Sequence, residues 1–233
     1  MPKASFIGEK EKLALPKIDK NKRYANIIKR QARYRLDEFR KYTLEIESKF
    51  NSDKYALSNS YDKAVKGLSE DEISEVDDYF SDAYYMIEEI HVGMYRKSTL
   101  ISIYSFLENS MNFLCRHLSS RHDYPVKLDD LKGDGIVRAK NYLEKLAKVN
   151  FDAINGEWSN LMTLNKIRNC IVHSEGDIKA SNKSSALENI ITNNSSLSLR
   201  SDRYVKVERE YIEFCIDEVE RFLDKLYQLV STS

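Results

Sequence analysis

An arginine, an amide and a histidine stand close together in Arg168-Asn169-Cys170-Ile171-Val172-His173, within an apolar stretch that reads as helix. Histidine titrates near neutral pH and can take or give a hydroxyl proton. Arginine stays charged and forks onto phosphoryl oxygens, stabilising charge as it develops. Asn169 can orient the imidazole or hydrogen-bond a phosphate. These are the parts needed to cut RNA without a metal. Neither Asp/Glu pairs nor histidine clusters nearby suggest a metal, and no CxxC or Cys/His spacing suggests zinc. No glycine-rich phosphate loop is present. The expectation is a site with no metal and no cofactor.

At about 100° per residue from Leu161, the residues Leu164, Ile167, Cys170 and Ile171 form one stripe between about 180° and 300°. Asn169 and His173 fall roughly opposite, one turn apart, where their side chains can meet. Trp158 and Met162 share that second face, and Arg168 sits at the margin. A helix with a core face and a second, semi-apolar face often packs on a partner subunit, so a homodimer with its seam near His173 is expected. For His173 taken alone, a helix-end histidine favoured by the C-terminal dipole is the competing reading. Arg116, His117 and His122 offer a similar spacing. They sit where a helix is expected to run out before Asp123-Tyr124-Pro125, with the two ends off any one rigid element.

The elements that must hold these groups are mostly helical. Three prolines and seven glycines in 233 residues leave long uninterrupted stretches. A long amphipathic helix is expected over about 22–50, on Tyr24, Ile27, Ile28, Tyr34, Phe39, Tyr42 and Ile46, ending at Asn51-Ser52-Asp53. Ser69 followed by Glu72 is a capping-box pattern that starts the next helix. Its apolar signal continues to Leu118, with Gly93 marking a bend or close crossing. Further helices are expected over about 136–148 and 157–174, with Gly176 at a C-cap position. Residues 177–200 are rich in Ser and Asn and read as mobile. Ser196–Leu199 and Tyr204–Val207 alternate like the strands of a small hairpin. The last helix carries Tyr211, Phe214, Ile216, Val219, Phe222, Leu226 and Leu229. The class is all-α: a helical bundle with a small β-hairpin before the last helix.

Net charge is zero but unevenly spread. Met1–Lys41 holds 13 basic and 5 acidic residues, whereas Ser69–Ile90 holds 9 acidic and no basic ones. The basic part can meet phosphates, with Arg23, Lys29, Arg30 and Arg33 the candidate RNA contacts. The competing reading is two solvated helix faces that partly neutralise each other. Residues 1–20 read as a loosely held arm. Residues 1–68 are taken as a basic N-terminal arm and long helix, and 69–233 as the helical domain with the site. Cys115, Cys170 and Cys215 each lie in an apolar run and read as buried free thiols. No secretory segment or membrane-length apolar run is seen, so a cytoplasmic protein away from membranes is expected.

The stretch Leu164-Asn-Lys-Ile-Arg-Asn-Cys-Ile-Val-His173-Ser-Glu-Gly176 resembles the signature helix of the HEPN superfamily, whose RNases carry Arg, a polar residue, apolar residues and then His. Upstream, Ile101-Ser-Ile-Tyr-Ser-Phe-Leu-Glu108-Asn-Ser-Met-Asn-Phe-Leu114 resembles the helix in which that family often has a glutamate. The likeness covers about residues 75–230. It implies an antiparallel helical bundle and a metal-independent endoribonuclease leaving a 2′,3′-cyclic phosphate. Two protomers would form one composite cleft. Arg168, Asn169 and His173 take the motif positions, and Glu108 is a further carry-over. Such domains act as toxins or anti-phage effectors, which implies an RNA substrate and an antitoxin or defence-system partner. The family's alternative is a non-catalytic module that binds RNA, a nucleotide or a protein. Toxins silenced by adenylation usually have Tyr two residues after the histidine. Glu175 stands there, which argues against that control.

Overall fold

The computed structural model describes residues 20–232. The expected N-terminal arm therefore lies outside the described residues, apart from Lys20. The chain order is α1 (Lys20–Ala64), α2 (Glu70–Tyr85), α3 (Val92–His122), α4 (Gly135–Lys145), α5 (Asn155–Ser174), α6 (Ser184–Thr192), β1 (Leu197–Arg200), β2 (Tyr204–Val207) and α7 (Arg209–Thr232). The fold is all-α apart from one two-stranded antiparallel hairpin, in register Leu197 to Val207.

The central helix is α3, which packs on α1, α4, α5 and α7. Leu100, Ile103, Leu107, Met111 and Leu114 recur at three- and four-residue steps along it and are fully buried. The α5 stripe expected from the projection is buried as well: Leu164, Ile167, Cys170 and Ile171 all join the core. The three cysteines are buried and free.

Helix α1 runs past Asn51-Ser52-Asp53, where its end was expected, to Ala64. Local polarity does not stop it, because the second half packs on α2: the Tyr61 ring meets Phe80 edge-on, and its hydroxyl donates to Asp77 at 2.6 Å. The turn at 65–69, with Gly67 at φ 85°, ends the helix. Its core seam also differs from the expected one. Ala25, Ile28, Ala32 and Leu36 are buried, while Tyr34 and Tyr42 are exposed. Small residues let α1 lie close on α7, and a ladder of ion pairs follows the contact. Lys29 and Arg33 reach Asp224, and Arg40 reaches Glu220 at 2.6 Å and Asp217 at 2.7 Å. The 68/69 boundary falls in a real turn, yet α1 contributes Ile28, Ala32 and Leu36 to the same core as the rest.

A buried clamp joins the middle of α1 to α3 and the hairpin. Arg96 Nε and Nη2 donate to Glu47 at 2.8 and 3.0 Å, and Nη1 reaches Glu208 at 3.0 Å. Both Arg96 and Glu47 are less than a tenth exposed.

At Ser69 the expected cap forms: its backbone N–H and hydroxyl both donate to Glu72, at 2.9 and 2.6 Å. α2 buries none of its residues. A π-helical turn, Met86–His91, carries α2 into α3 without a break. Gly93 makes no close crossing, since a side chain there would meet open space. The stretch read as mobile contains α6, which buries Leu187 and Ile191. No helix of the described residues is long and apolar enough to cross a membrane.

Candidate functional site

Arg168 and Asn169 follow each other on α5, and the helix holds them in a short chain of hydrogen bonds. Arg168 Nη1 donates to Asn169 Oδ1 at 2.9 Å, and Asn169 Nδ2 donates to Asn165 Oδ1 at 3.1 Å. Asn165 is thus the one-turn neighbour that Asn169 meets, where the projection paired it with His173. The Arg168 guanidinium turns toward α3 and lies over the Tyr104 ring at 5.1 Å. A stacked cation of this kind gains about 0.5–2 kcal/mol and loses swing. Arg168 makes no ion pair among the described residues, and its Nε is buried without a hydrogen-bond partner.

Tyr104 extends the group to Glu108, one turn further along α3. A side chain added at Gly135 would meet the Tyr104 hydroxyl at 3.5 Å and the Glu108 carboxyl at 3.8 Å. Burial, and then the Glu108 charge, push the Tyr104 phenol up to about 12, so it is neutral at physiological pH. Glu108, Tyr104, Arg168 and Asn169 therefore form one continuous group across α3 and α5. Tyr104 was missed in the sequence because it reads as one more apolar position on a core helix.

His173 lies in the last turn of α5 and is exposed. Five residues on a helix turn by about 140°, so Arg168 and His173 leave α5 in different directions. Asn169 joins the two sides: it bonds Arg168, and with His173 it lines an open cleft against the 180–183 loop. Lys166, Ser181, Asn182 and Lys183 line it too. Neither lysine forms an ion pair among the described residues, and neither stood out in the sequence. No group of His, Cys, Asp and Glu among the described residues could hold a metal.

The end of α5 is fixed by the hairpin. Glu175 takes the left-handed cap conformation (φ 54°), and the Gly176 N–H donates to Cys170 at 3.1 Å. Val205 N–H then donates to Gly176 at 2.8 Å, and Ile178 N–H to Arg203 at 3.0 Å. Asp177 accepts from the Lys179 N–H and pairs with Arg203 at 2.6 Å. That guanidinium holds the Asp177 carboxyl below its usual range.

The remaining expected residues are placed as follows. Arg23 and Arg30 are exposed on α1, whereas Lys29 and Arg33 are engaged by Asp224. Trp158, expected on a free face, packs inside its own chain against Phe151 and Phe222 at 5.7 and 6.0 Å between ring centres. Met162 is also packed on the core. Val172 remains exposed on α5 between the Arg168 and His173 directions. The Arg116–His122 pair lies on one rigid element after all, because α3 continues to His122 and stops only at Asp123, at φ 49°. Its six-residue spacing leaves the two ends about 120° apart around the helix.

The fold and the group on α3 and α5 define an all-α bundle in which α5 turns Arg168 toward α3 and His173 toward solvent. No family model, curated protein or solved structure matches the chain significantly.

Proposed function

We propose that the chain is a metal-independent endoribonuclease of HEPN type, acting as a toxin or anti-phage effector from a cleft shared by two copies. The observation that carries this reading is the state of Arg168: stacked on Tyr104, bonded to Asn169, and in no direct ion pair among the described residues. A cation held in place and not paired directly with a carboxylate suits charge that develops on a phosphoryl group. His173 is open to solvent and free to move a proton.

In this reading an imidazole takes the 2′-hydroxyl proton as that oxygen attacks the adjacent phosphorus. Arg168 stabilises the charge on the phosphoryl oxygens. The P–O5′ bond breaks, and the 5′ oxygen leaves with a proton, giving a 2′,3′-cyclic phosphate and a 5′-hydroxyl. Base and acid are separate tasks, and a second copy would supply the second imidazole. The divergence of Arg168 and His173 on α5 favours such a shared cleft. The same divergence is what a non-catalytic RNA-binding module would tolerate, and it is the second reading. Lys166 and Lys183 supply cations for the strand in either case.

The test incubates the full chain with RNA in chelator and analyses the fragment ends. Cyclic-phosphate and 5′-hydroxyl ends should form. Arg168→Ala and His173→Ala should each slow cleavage by about 10²-fold or more. Binding without cleavage would select the second reading, and unchanged cleavage by both variants would remove the site assignment.

A further inference from the structure

Two cations near the end of α5 stand without a counterion. Lys97, Ile101 and Tyr104 follow each other at four- and three-residue steps, on one face of α3. Tyr104 lies under Arg168, and Lys97 reaches the other end of the same seam: a side chain added at Gly176 would meet its Nζ at 3.2 Å. Seven residues of helix, about 10 Å, separate Lys97 from Tyr104. Arg200, on β1, stands opposite Tyr204 in the hairpin and lies over that ring at 5.5 Å. Tyr204 also bridges Asp177, the neighbour of Gly176. The hairpin and the end of α5 thus bring Arg200 and Lys97 to one junction. The Lys97 side chain is half-buried, yet its ammonium makes no hydrogen bond or ion pair among the described residues. Arg200 forms no ion pair among them either, and donates one long hydrogen bond, to the Tyr85 hydroxyl at 3.3 Å.

Other cations around the hairpin are paired. Arg203 meets Asp177 at 2.6 Å, Lys206 meets Glu89 at 2.6 Å, and Arg96 meets Glu208 at 3.0 Å. Those carboxylates are therefore taken. Glu175 also acts on the Lys97 charge, but it is exposed and forms no ion pair with it. A lysine at a helix C-terminus is ordinarily favoured by the dipole. Here burial, and then the Arg200 charge, pull the Lys97 ammonium below its ordinary value. Two cations that repel each other, one of them partly stripped of water, do not stabilise the fold. An anion held by both relieves each of those costs. The guanidinium fork and the compact ammonium both suit phosphoryl oxygens. Arg168 is unpaired at the other end of the seam, so a strand laid along it meets a second cationic point.

We propose that Lys97 and Arg200 together hold one phosphate of a single RNA strand, further along the α3–α5 seam from Arg168; the choice of RNA rests on the function proposed above. The test uses the full chain and a 2′-O-methyl oligonucleotide, which keeps the phosphates and cannot form the cyclic product. Fluorescence anisotropy across a salt series measures binding. Lys97→Met and Arg200→Gln should each weaken binding, equally for oligo-U and oligo-A, as loss of a phosphate contact does. The double variant should flatten the log–log salt slope by about 0.7, the value for one phosphate of a single strand. Lys206→Gln removes a lysine already paired with Glu89 and should leave the slope unchanged. Lys97→Met should unfold at no lower urea concentration than the unaltered chain, because it removes an unpaired cation. Calorimetry with inorganic phosphate should show no binding. An unchanged slope in the double variant overturns the contact, and a drop of about 1.4 gives each cation its own phosphate and overturns the shared site. Equal flattening by Lys206→Gln would assign the effect to general charge, and a less stable Lys97→Met would make Lys97 a cap of α5. Saturable binding of inorganic phosphate that Lys97→Met abolishes would make the ligand a free anion and overturn the strand. An unaltered chain that binds no oligonucleotide sinks the RNA reading with this site, whereas binding without cleavage leaves the site standing.

Discussion

The guanidinium of Arg168 lies 5.1 Å above the ring of Tyr104, a residue from the central helix of the core. The contact ties the most chemically useful cation on α5 to the most rigid part of the molecule. Tyr104→Phe keeps the ring and should leave cleavage within about threefold, because the stacking gain resides in the ring face. Tyr104→Leu should lower kcat about tenfold with little change in KM. Steady-state kinetics on both variants decides it: equal loss in Phe and Leu would assign the effect to the hydroxyl.

Val172 is 42% exposed on α5 beside the divergent Arg168 and His173. If two copies meet here, Val172→Glu places a charge in the seam. Sedimentation velocity should show a dimer for the unaltered chain and a monomer for the variant, with cleavage lost in parallel. An unaltered chain that sediments as a monomer at working concentration would remove the shared cleft.

The clamp of Arg96 on Glu47 is buried, and without the Glu47 charge Arg96 keeps only the more exposed Glu208 carboxylate. Glu47→Gln should destabilise the chain in chemical denaturation, by less than the about 3–5 kcal/mol of a buried charge left with no partner. Replacing both residues with leucine should cost less than Glu47→Gln alone. The α1–α7 pairs are more exposed, and Asp224→Asn should cost under about 1 kcal/mol.

Asp224→Asn also releases Lys29 and leaves Arg33 with Glu220 alone. If α1 meets RNA through Arg23 and Arg30, changing both to Ala should flatten the log–log salt dependence of binding by about 1.4, at ~0.7 per phosphate of a single strand. Asp224→Asn should make that dependence steeper. Filter binding across a salt series measures both, and two unchanged slopes would return α1 to a structural role.

The Asp177 carboxyl is held down by Arg203, so its folded pKa lies below the unfolded value. Such a group contributes stability above the unfolded pKa and loses it as pH falls through the folded one. Asp177→Asn should therefore be less stable than the unaltered chain at pH 7. The difference should shrink as pH is lowered below about 4, the ordinary aspartate value. Urea titrations at the two pH values give the sign directly.

How much of this was legible in the chain depended on the range of the interaction. The hairpin, the Ser69 cap and the buried stripe of α5 rest on spacing within a few residues, and they were read correctly. The extension of α1 past Asp53 was not, because its support is Phe80 on another helix. α6 was lost in a Ser- and Asn-rich stretch, since only Leu187 and Ile191 mark its buried side. At the site, the projection put Asn169 and His173 away from the core stripe, and they line a cleft together. The same projection could not say that Arg168 would turn to Tyr104 or Trp158 to Phe222. Those are contacts between segments far apart in the chain, and helical periodicity carries no information about them.

The solvated helix α2, which buries none of its residues and holds seven acidic side chains without a basic one, has a consequence for traffic around the molecule. Its field extends about 8–10 Å into physiological solution. A polyanion drifting toward that side is turned away before contact, while one nearing exposed cations is drawn in. The helix adds little to the core, yet it biases which encounters are productive, and dilution of salt should sharpen that bias.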